Sequence, residues 1–129
     1  MCNNLNAKNV LGTKLISCSL DPITGFHRDG YCNTFKNDPG KHIICSIVNS
    51  EFLMFSKNRG NDLISAVPEY NFKGLKDGDR WCLCADRWLE AYNNKIAPLI
   101  SLESTHIDML EKIDFDTLKK YSIEYINLN

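Results

Sequence analysis

The stretch DGDRWCLCADRW, residues 77–88, joins a strand pattern to a helix signal and carries two cysteines one residue apart. RWCLCA is typical of a strand, and Asp86 is a residue type that begins helices. Residues two apart in a strand point to the same face, so we expect Cys82 and Cys84 side by side with Arg80. Their Cα atoms would lie roughly 6.5–7 Å apart, at or beyond the limit for a disulfide. We therefore expect no bridge between them.

The segments on both sides of this stretch predict helices packed on a small sheet. Further strands are expected at IICSIV (43–48) and APLISLE (97–103), with an edge strand at YSIEYI (121–126). Four helices are expected, each with a capping residue before it: Ser50 to Gly60, Asp86 to about Asn94, Thr105 to about Lys112, and Asp114 or Asp116 to Lys120. The fold class predicted from these patterns is α+β.

Two long polar segments, Cys18 to His42 and Asn58 to Asp79, separate the apolar ones and are rich in turn signals. Loops of this length are uncommon in small domains and are often functional when ordered. We therefore expect a site where these two loops meet the strand that carries Cys82 and Cys84.

Composition narrows the class of protein. The 129 residues suit a single domain, 1–129, in which we expect residues 1–8 to be flexible. A net charge of -1 gives no large basic field, so nucleic acid is disfavoured as a partner. The first residues lack the blocks of a signal peptide and no apolar run could span a bilayer, which predicts a cytoplasmic protein without a membrane partner. The oligomeric state is not indicated.

The six cysteines admit several interpretations. In a reducing compartment they are expected to be free, metal-bound or redox-active rather than joined in a disulfide framework. Zn²⁺ accepts mixed sulfur and imidazole ligands, although the chain has no C-x2-C pair. The alternative is that the cysteines are small core residues. The candidate metal ligands are Cys18, Cys32, His42, Cys45, Cys82 and Cys84.

A thiol nucleophile is a second functional interpretation. Cys84 lies just before a predicted helix and shares a strand face with Arg80, so a helix N-terminus or a cation could activate it. Cys32 follows a loop that contains His27 and Arg28. The spacing alone assigns neither cysteine a partner histidine.

Polar residues of the two loops form another candidate site. Arginine forks and carboxylates on turns can bind a small polar or anionic ligand. The same residue types also form turns and loop-tying ion pairs without any ligand. The candidate ligand-binding residues are Asp21, Arg28, Asp29, Asn61, Asp62, Asp79 and Arg80.

Several strings of the sequence occur together in one bacterial family. They are NVLG (9–12), DPITGFHRDGYC (21–32), KHIIC (41–45), EFLMFSKNRGNDL (51–63), GLKDGDRWCLCADRWLEA (74–91) and LESTH (102–106). Through them the chain resembles the family called domain of unknown function 2237. The resemblance implies a two-layer α/β sandwich and no assigned activity. The family often has a cysteine where this chain has Tyr31, which puts in doubt any cluster that needs a thiol there.

Three hypotheses for function follow. The leading one is a small-ligand or metal-binding module built from the polar loop residues and the cysteines, with zinc as the candidate metal. The second is a thiol-dependent enzyme that uses Cys32 or Cys84, with Arg80 as the activating cation. The third is a structural or interaction protein whose cysteines belong to the core.

Overall fold

The computed structural model describes residues 6–126. Within this part of the chain, three strands form one antiparallel sheet in the order β2-β1-β3, with β1 at Ile44–Ile47, β2 at Arg80–Leu83 and β3 at Leu99–Ile100. The helices are α1 (Ser50–Asn58), α2 (Ala85–Asn93) and α3 (Phe115–Lys120), with 3₁₀ helices at Pro68–Tyr70 and Ile107–Glu111. The predicted α+β fold is confirmed.

The two faces of the sheet bury different residue types. The register of β1 and β2 sets Ile44 opposite Leu83 and Cys45 opposite Cys82. Ile44 and Leu83 belong to the main apolar core, which includes Trp88 of α2. Because side chains alternate along a strand, the two cysteines point away from that core. One face therefore packs against helices and the other carries sulfur.

Disulfides attach the first long loop to the sulfur-bearing face. Cys18 is bonded to Cys45 and Cys32 to Cys82, with Cα atoms 5.7 and 5.2 Å apart. All four cysteines are buried in one cluster. The hydroxyl of Thr24, in the same loop, accepts a hydrogen bond of 2.9 Å from the backbone N–H of Cys82. The loop is thus held to both central strands.

These bonds correct one prediction and confirm another. The expectation that the chain has no disulfide framework is wrong for these four cysteines, because the fold brings partners distant in sequence within bonding distance. The expected absence of a bridge between Cys82 and Cys84 is confirmed, since Cys84 is free. The disulfides do not involve position 31, where this chain has tyrosine.

The start of α1 differs by one residue from the prediction. Asn49, not Ser50, is the N-cap, and its side-chain oxygen accepts a hydrogen bond of 2.8 Å from the N–H of Phe52. Asparagine and serine cap helices about equally well, so residue-type preference alone does not choose between Asn49 and Ser50. Asp114 caps α3 through the N–H of Thr117, as predicted.

The start of α2 also differs, and this difference matters for the site. Cys84 is the N-cap residue, and its side chain makes no capping hydrogen bond. Asp86 lies inside the first turn, where a carboxylate is still favoured, and its side chain accepts from Lys112 at 3.3 Å. Because β2 ends at Leu83, α2 begins at Ala85, two residues earlier than a helix capped by Asp86 would begin.

The C-terminal quarter departs most from the prediction. The expected strand at 97–103 is only Leu99–Ile100, and the tail expected as an edge strand makes a single parallel bridge, between Ile100 and Ser122. Thr105 caps nothing: its hydroxyl bonds to Ser101 and to the N–H of Cys45. His106 caps the 3₁₀ helix instead, through Asp108.

Two expectations concern the ends of the chain and the membrane. Residues 1–5, most of the segment expected to be flexible, lie outside the described residues, while Ala7 is buried and accepts a hydrogen bond from Leu15. None of the helices between residues 6 and 126 has the length and apolar character needed to traverse a bilayer.

Removing either disulfide is expected to destabilise the oxidised protein. The bridges join residues 27 and 50 positions apart, and the chain-entropy relation gives losses of about 3.5 and about 4 kcal/mol in the free energy of unfolding. The measurement is urea unfolding of the double variants Cys18→Ala/Cys45→Ala and Cys32→Ala/Cys82→Ala, with Cys84→Ala as the control. An unchanged midpoint in both double variants would contradict the pairing.

Stability should fall in mild acid because of His106. Burial lowers the pKa of His106 below its ordinary 6.5, and its Nδ1 accepts the N–H of Asp108 at 3.0 Å. The unfolded chain therefore takes up a proton before the folded one, so stability present above pH 6.5 is lost as the pH falls toward the lowered value.

The variant His106→Asn can still cap the 3₁₀ helix but does not titrate. We expect its free energy of unfolding to decline less than that of the parent as the pH falls below 6.5. Urea unfolding across this range is the measurement, with the exposed His27→Asn as control. Parallel curves for the parent and His106→Asn would rule out this role for the histidine.

Candidate functional site

The turn before β1 brings a carboxylate onto a histidine. The carbonyl of Asp38 accepts the N–H of Lys41 at 3.2 Å, and Pro39 suits the second position of such a turn. The chain therefore folds back, and Asp38 Oδ2 accepts the backbone N–H of His42 at 3.0 Å. His42 Nδ1 lies 2.8 and 3.0 Å from the two carboxylate oxygens.

The burial of this pair is unequal. The side chain of Asp38 is 1% exposed, whereas that of His42 is 39% exposed. A carboxylate accepts hydrogen bonds, so it favours the tautomer of His42 that carries a proton on Nδ1. Nε2 is then the ring nitrogen that can accept a proton from another group.

A free thiol lies beside this pair. Cys84 follows β2 directly, and the register of β1 and β2 brings the residues before β1 next to it, since the N–H of Ala85 donates to the carbonyl of Lys41 at 3.0 Å. Cys84 is half-buried, and its Sγ donates to the carbonyl of Gly40 at 2.8 Å. Among residues 6–126 it is the cysteine outside the disulfides.

The space beside the Cα of Gly40 shows how close these three side chains lie to one another. A methyl group on its Cα would lie 3.2 Å from His42 Cε1, 3.5 Å from Cys84 Sγ and 3.6 Å from Asp38 Oδ1. The three side chains therefore surround one small space, which the absence of a side chain at Gly40 leaves open. Thiol, imidazole and carboxylate in this order are the parts of a cysteine nucleophile with its base.

An aromatic wall and a pocket border this group. The ring of Phe26 stacks on His42 with centroids 6.0 Å apart, and Phe35 lies 6.1 Å from Phe26. A pocket of about 340 Å³ opens beside Asp38. It is lined by Thr34, Phe35, Lys36, Asp38, Pro39 and Lys41, which combine apolar surface with two lysines.

The six predicted metal ligands divide between two places. Cys18, Cys32, Cys45 and Cys82 form the buried sulfur cluster, in which the Sγ atoms of Cys18, Cys32 and Cys82 all lie within 4.8 Å of one another. The other two predicted ligands, His42 and Cys84, belong to the group around Gly40.

The predicted nucleophiles are also separated by the fold. Cys32 is fully buried and bonded to Cys82, so it has no free thiol in this state. Cys84 keeps its thiol, but Arg80 begins β2 and lies about 13 Å away along an extended chain. His42 lies beside Cys84 at the space next to Gly40, and activation of Cys84 by Arg80 stays a prediction.

Most of the predicted ligand-binding carboxylates have local roles. Asp29 accepts the N–H of Tyr31 at 3.1 Å, and Asp79 accepts the N–H of Lys76 at 2.9 Å. Hydrogen bonds from the side chain and backbone of Ser65, with one from the backbone of Ile64, lower the pKa of Asp62 to about 2. These contacts support the interpretation of turn formation.

The remaining members of that set are similarly placed. Arg28 donates to the carbonyl of Gly25 at 2.6 Å and lies over the ring of Trp81 at 5.0 Å. Asn61 uses its backbone to close the end of α1, and Asp21 lies in an exposed turn. Ligand binding by Asp21, Arg28, Asp29, Asn61, Asp62, Asp79 and Arg80 stays a prediction.

Asp38 is the site residue that sequence reasoning missed. The turn-rich segment Cys18 to His42 contains both Asp38 and His42, but of these two only His42 is a predicted ligand. The available signal was the four-residue spacing of Asp38 and His42 across a Pro-Gly turn, which brings a carboxylate back to an imidazole.

The family strings in the sequence agree with a comparison against known proteins. No curated protein matches the chain. The sequence model of a family described as uncharacterized proteins conserved in bacteria matches residues 8–122. The chain therefore belongs to this bacterial family, DUF2237.

Proposed function

We propose that the protein is a thiol-dependent enzyme in which Cys84 is the nucleophile and His42 the general base. The convergence of their side chains with Asp38 on the space beside Gly40 is the observation that carries this proposal. Asp38 holds Nδ1 of the imidazole, which leaves Nε2 for proton transfer.

The reaction we propose is transfer of an acyl group to the thiol. Cys84 Sγ turns from the carbonyl of Gly40 toward His42 and loses its proton to Nε2, while the sulfur forms a bond to the carbonyl carbon. The bond from that carbon to the leaving group then breaks, and the imidazolium returns the proton to the leaving group. Asp38 stabilises the imidazolium in between, and water or another acceptor releases the acyl group from the thioester.

The pocket beside Asp38 indicates the class of substrate. Lys36 and Lys41 supply positive charge and Phe35 and Pro39 supply apolar surface, in a space of about 340 Å³. A small acyl donor that carries an anionic group would match both features.

A small-ligand binding module without catalysis is the second candidate. The pocket favours it, because binding an anionic ligand requires the lysines but not the thiol. Cys84→Ala separates the candidates: it leaves binding intact under the second and abolishes turnover under the first.

We also propose the cytoplasm as the compartment, as the sequence predicted. A thiol nucleophile works in its reduced form, which the cytoplasm maintains. Disulfides are usually transient there, so this location requires that the two bridges open and close.

The reactivity of Cys84 is the first test of the enzyme proposal. In a Cys2→Ser background, His42→Ala and Asp38→Asn should each slow alkylation by iodoacetamide at neutral pH by roughly tenfold or more, since a general base contributes about 10²–10⁴ in rate. Gly40→Ala should also slow it, because the methyl group fills the space between thiol and imidazole. Mass spectrometry of the alkylated protein gives the rates.

Two controls accompany this test. His27→Ala removes a histidine from the same aromatic group, and Arg80→Ala removes the cation first considered. Both should leave the rate unchanged. If the rate drops with Arg80→Ala but not with His42→Ala, the assignment of the base is wrong.

A second test concerns the charge of the substrate. Relative to free cysteine, Cys84 should prefer iodoacetate over iodoacetamide, and Lys36→Ala and Lys41→Ala should each reduce this preference roughly two- to fivefold. Lys57→Ala, in the last turn of α1, is the matched control. Added salt should weaken the preference because it screens charges that lie near the surface. A ratio that none of the lysine changes alters would argue against an anionic substrate.

A further inference from the structure

The sulfur cluster on the loop-covered face of the sheet is a second potential site, separate from Cys84. Two of its cysteines come from the first loop and two from neighbouring strands, and all four are at most 5% exposed. The Sγ atoms of Cys18, Cys32 and Cys82 lie within 4.8 Å of one another, and Cys45 is bonded to Cys18. The two bridges thus form one sulfur centre.

We propose that this centre binds one Zn²⁺ through Cys18, Cys32, Cys45 and Cys82 when its disulfides are reduced. A tetrahedral zinc with bonds of about 2.3 Å places its sulfurs roughly 3.8 Å apart. The separations among Cys18, Cys32 and Cys82 are within 4.8 Å, and the sulfur of Cys45 lies 2.06 Å from that of Cys18, so the four sulfurs lie in one neighbourhood of about the required size. Reduction of the two bridges frees the four side chains to rotate toward this geometry.

The arrangement favours a metal over simple cross-linking. Each bridge ties one end of the same loop to one of two paired strands, so all four sulfurs are brought into a single buried cluster. A metal uses all four sulfurs at once. Closure by four protein ligands is also the pattern of a structural zinc site, not a catalytic one.

The chemistry requires a dithiol as reductant. Each disulfide accepts two electrons and two protons from one dithiol, which becomes a disulfide, so two dithiols yield four protein thiols. Zn²⁺ then replaces the four thiol protons to give a tetrathiolate. An oxidant of the disulfide class reverses the sequence, takes up the four electrons and releases the metal.

Metal binding by the reduced protein tests the proposal. Protein with Cys2→Ser and Cys84→Ser is reduced with a dithiol, desalted without oxygen and titrated with Zn²⁺ against a chromophoric chelator. We expect one Zn²⁺ per chain in the reduced form and none in the oxidised form. Co²⁺ should give the intense visible absorption of a tetrahedral thiolate site.

Variants assign the ligands. Replacing any one of Cys18, Cys32, Cys45 and Cys82 by serine should weaken zinc binding. The loss should exceed the roughly 10- to 100-fold that follows when a residue that only orients a metal ligand is removed. His42→Ala should bind as the parent does, because His42 is engaged by Asp38. Binding that survives all four serine variants would overturn the ligand set.

The proposal can also be tested if the reduced protein unfolds. Zinc binding contributes folding free energy, so Zn²⁺ should restore the near-ultraviolet circular dichroism of a reduced, unfolded sample. Absence of both binding and refolding at micromolar free Zn²⁺ would refute the proposal. This outcome leaves the enzyme proposal untouched, because that rests on Cys84 and is measured without zinc.

Discussion

The antiparallel register that sets Cys45 opposite Cys82 is the constraint on which the rest of the structure depends. A shift of one residue in a strand turns every side chain to the other face, which would direct the cysteines into the helical core and Ile44 toward the loop. The same register continues beyond the strands, where the N–H of Ala85 meets the carbonyl of Lys41. Sulfur cluster and thiol site therefore arise from one pairing.

The first loop, Cys18 to His42, contributes residues to both the sulfur cluster and the thiol site, and its backbone packs closely on itself. Gly25 and Gly30 both have positive φ. A Cβ on Gly25 would lie 2.5 Å from the carbonyl oxygen of Tyr31, and a Cβ on Gly30 would lie 2.6 Å from the side chain of Leu20. Their small size lets the loop fold tightly between its two bonded cysteines. Between the two glycines, Phe26 stacks on the ring of His42. A segment without helix or strand thus connects the cluster to the candidate base.

Local patterns predicted much of the fold and less of the site. The β-branched run of β1 and the cap at Asp114 were readable because strand and cap preferences act over a few residues. The short length of β3 could not be predicted from the sequence, because its strand pairing ends where the chain turns to meet Glu124. The pairing of four cysteines has three possible connectivities, which only tertiary structure distinguishes. Asp38 belongs to the candidate site because the fold brings it near Cys84, which lies far along the chain, and local patterns do not show such a contact.

The two faces of the sheet are held by different chemistry, and this separates two kinds of response. Apolar packing joins the helices to one face, and covalent bonds join the loop to the other. A reducing agent breaks the covalent bonds of the second face and does not act on the apolar packing of the first. Cys84 begins a helix that packs in the apolar core, whereas His42 ends the loop that the disulfides hold. Opening the disulfides would therefore release the loop that ends at His42 from the sheet, while the helix that begins after Cys84 stays packed on the other face.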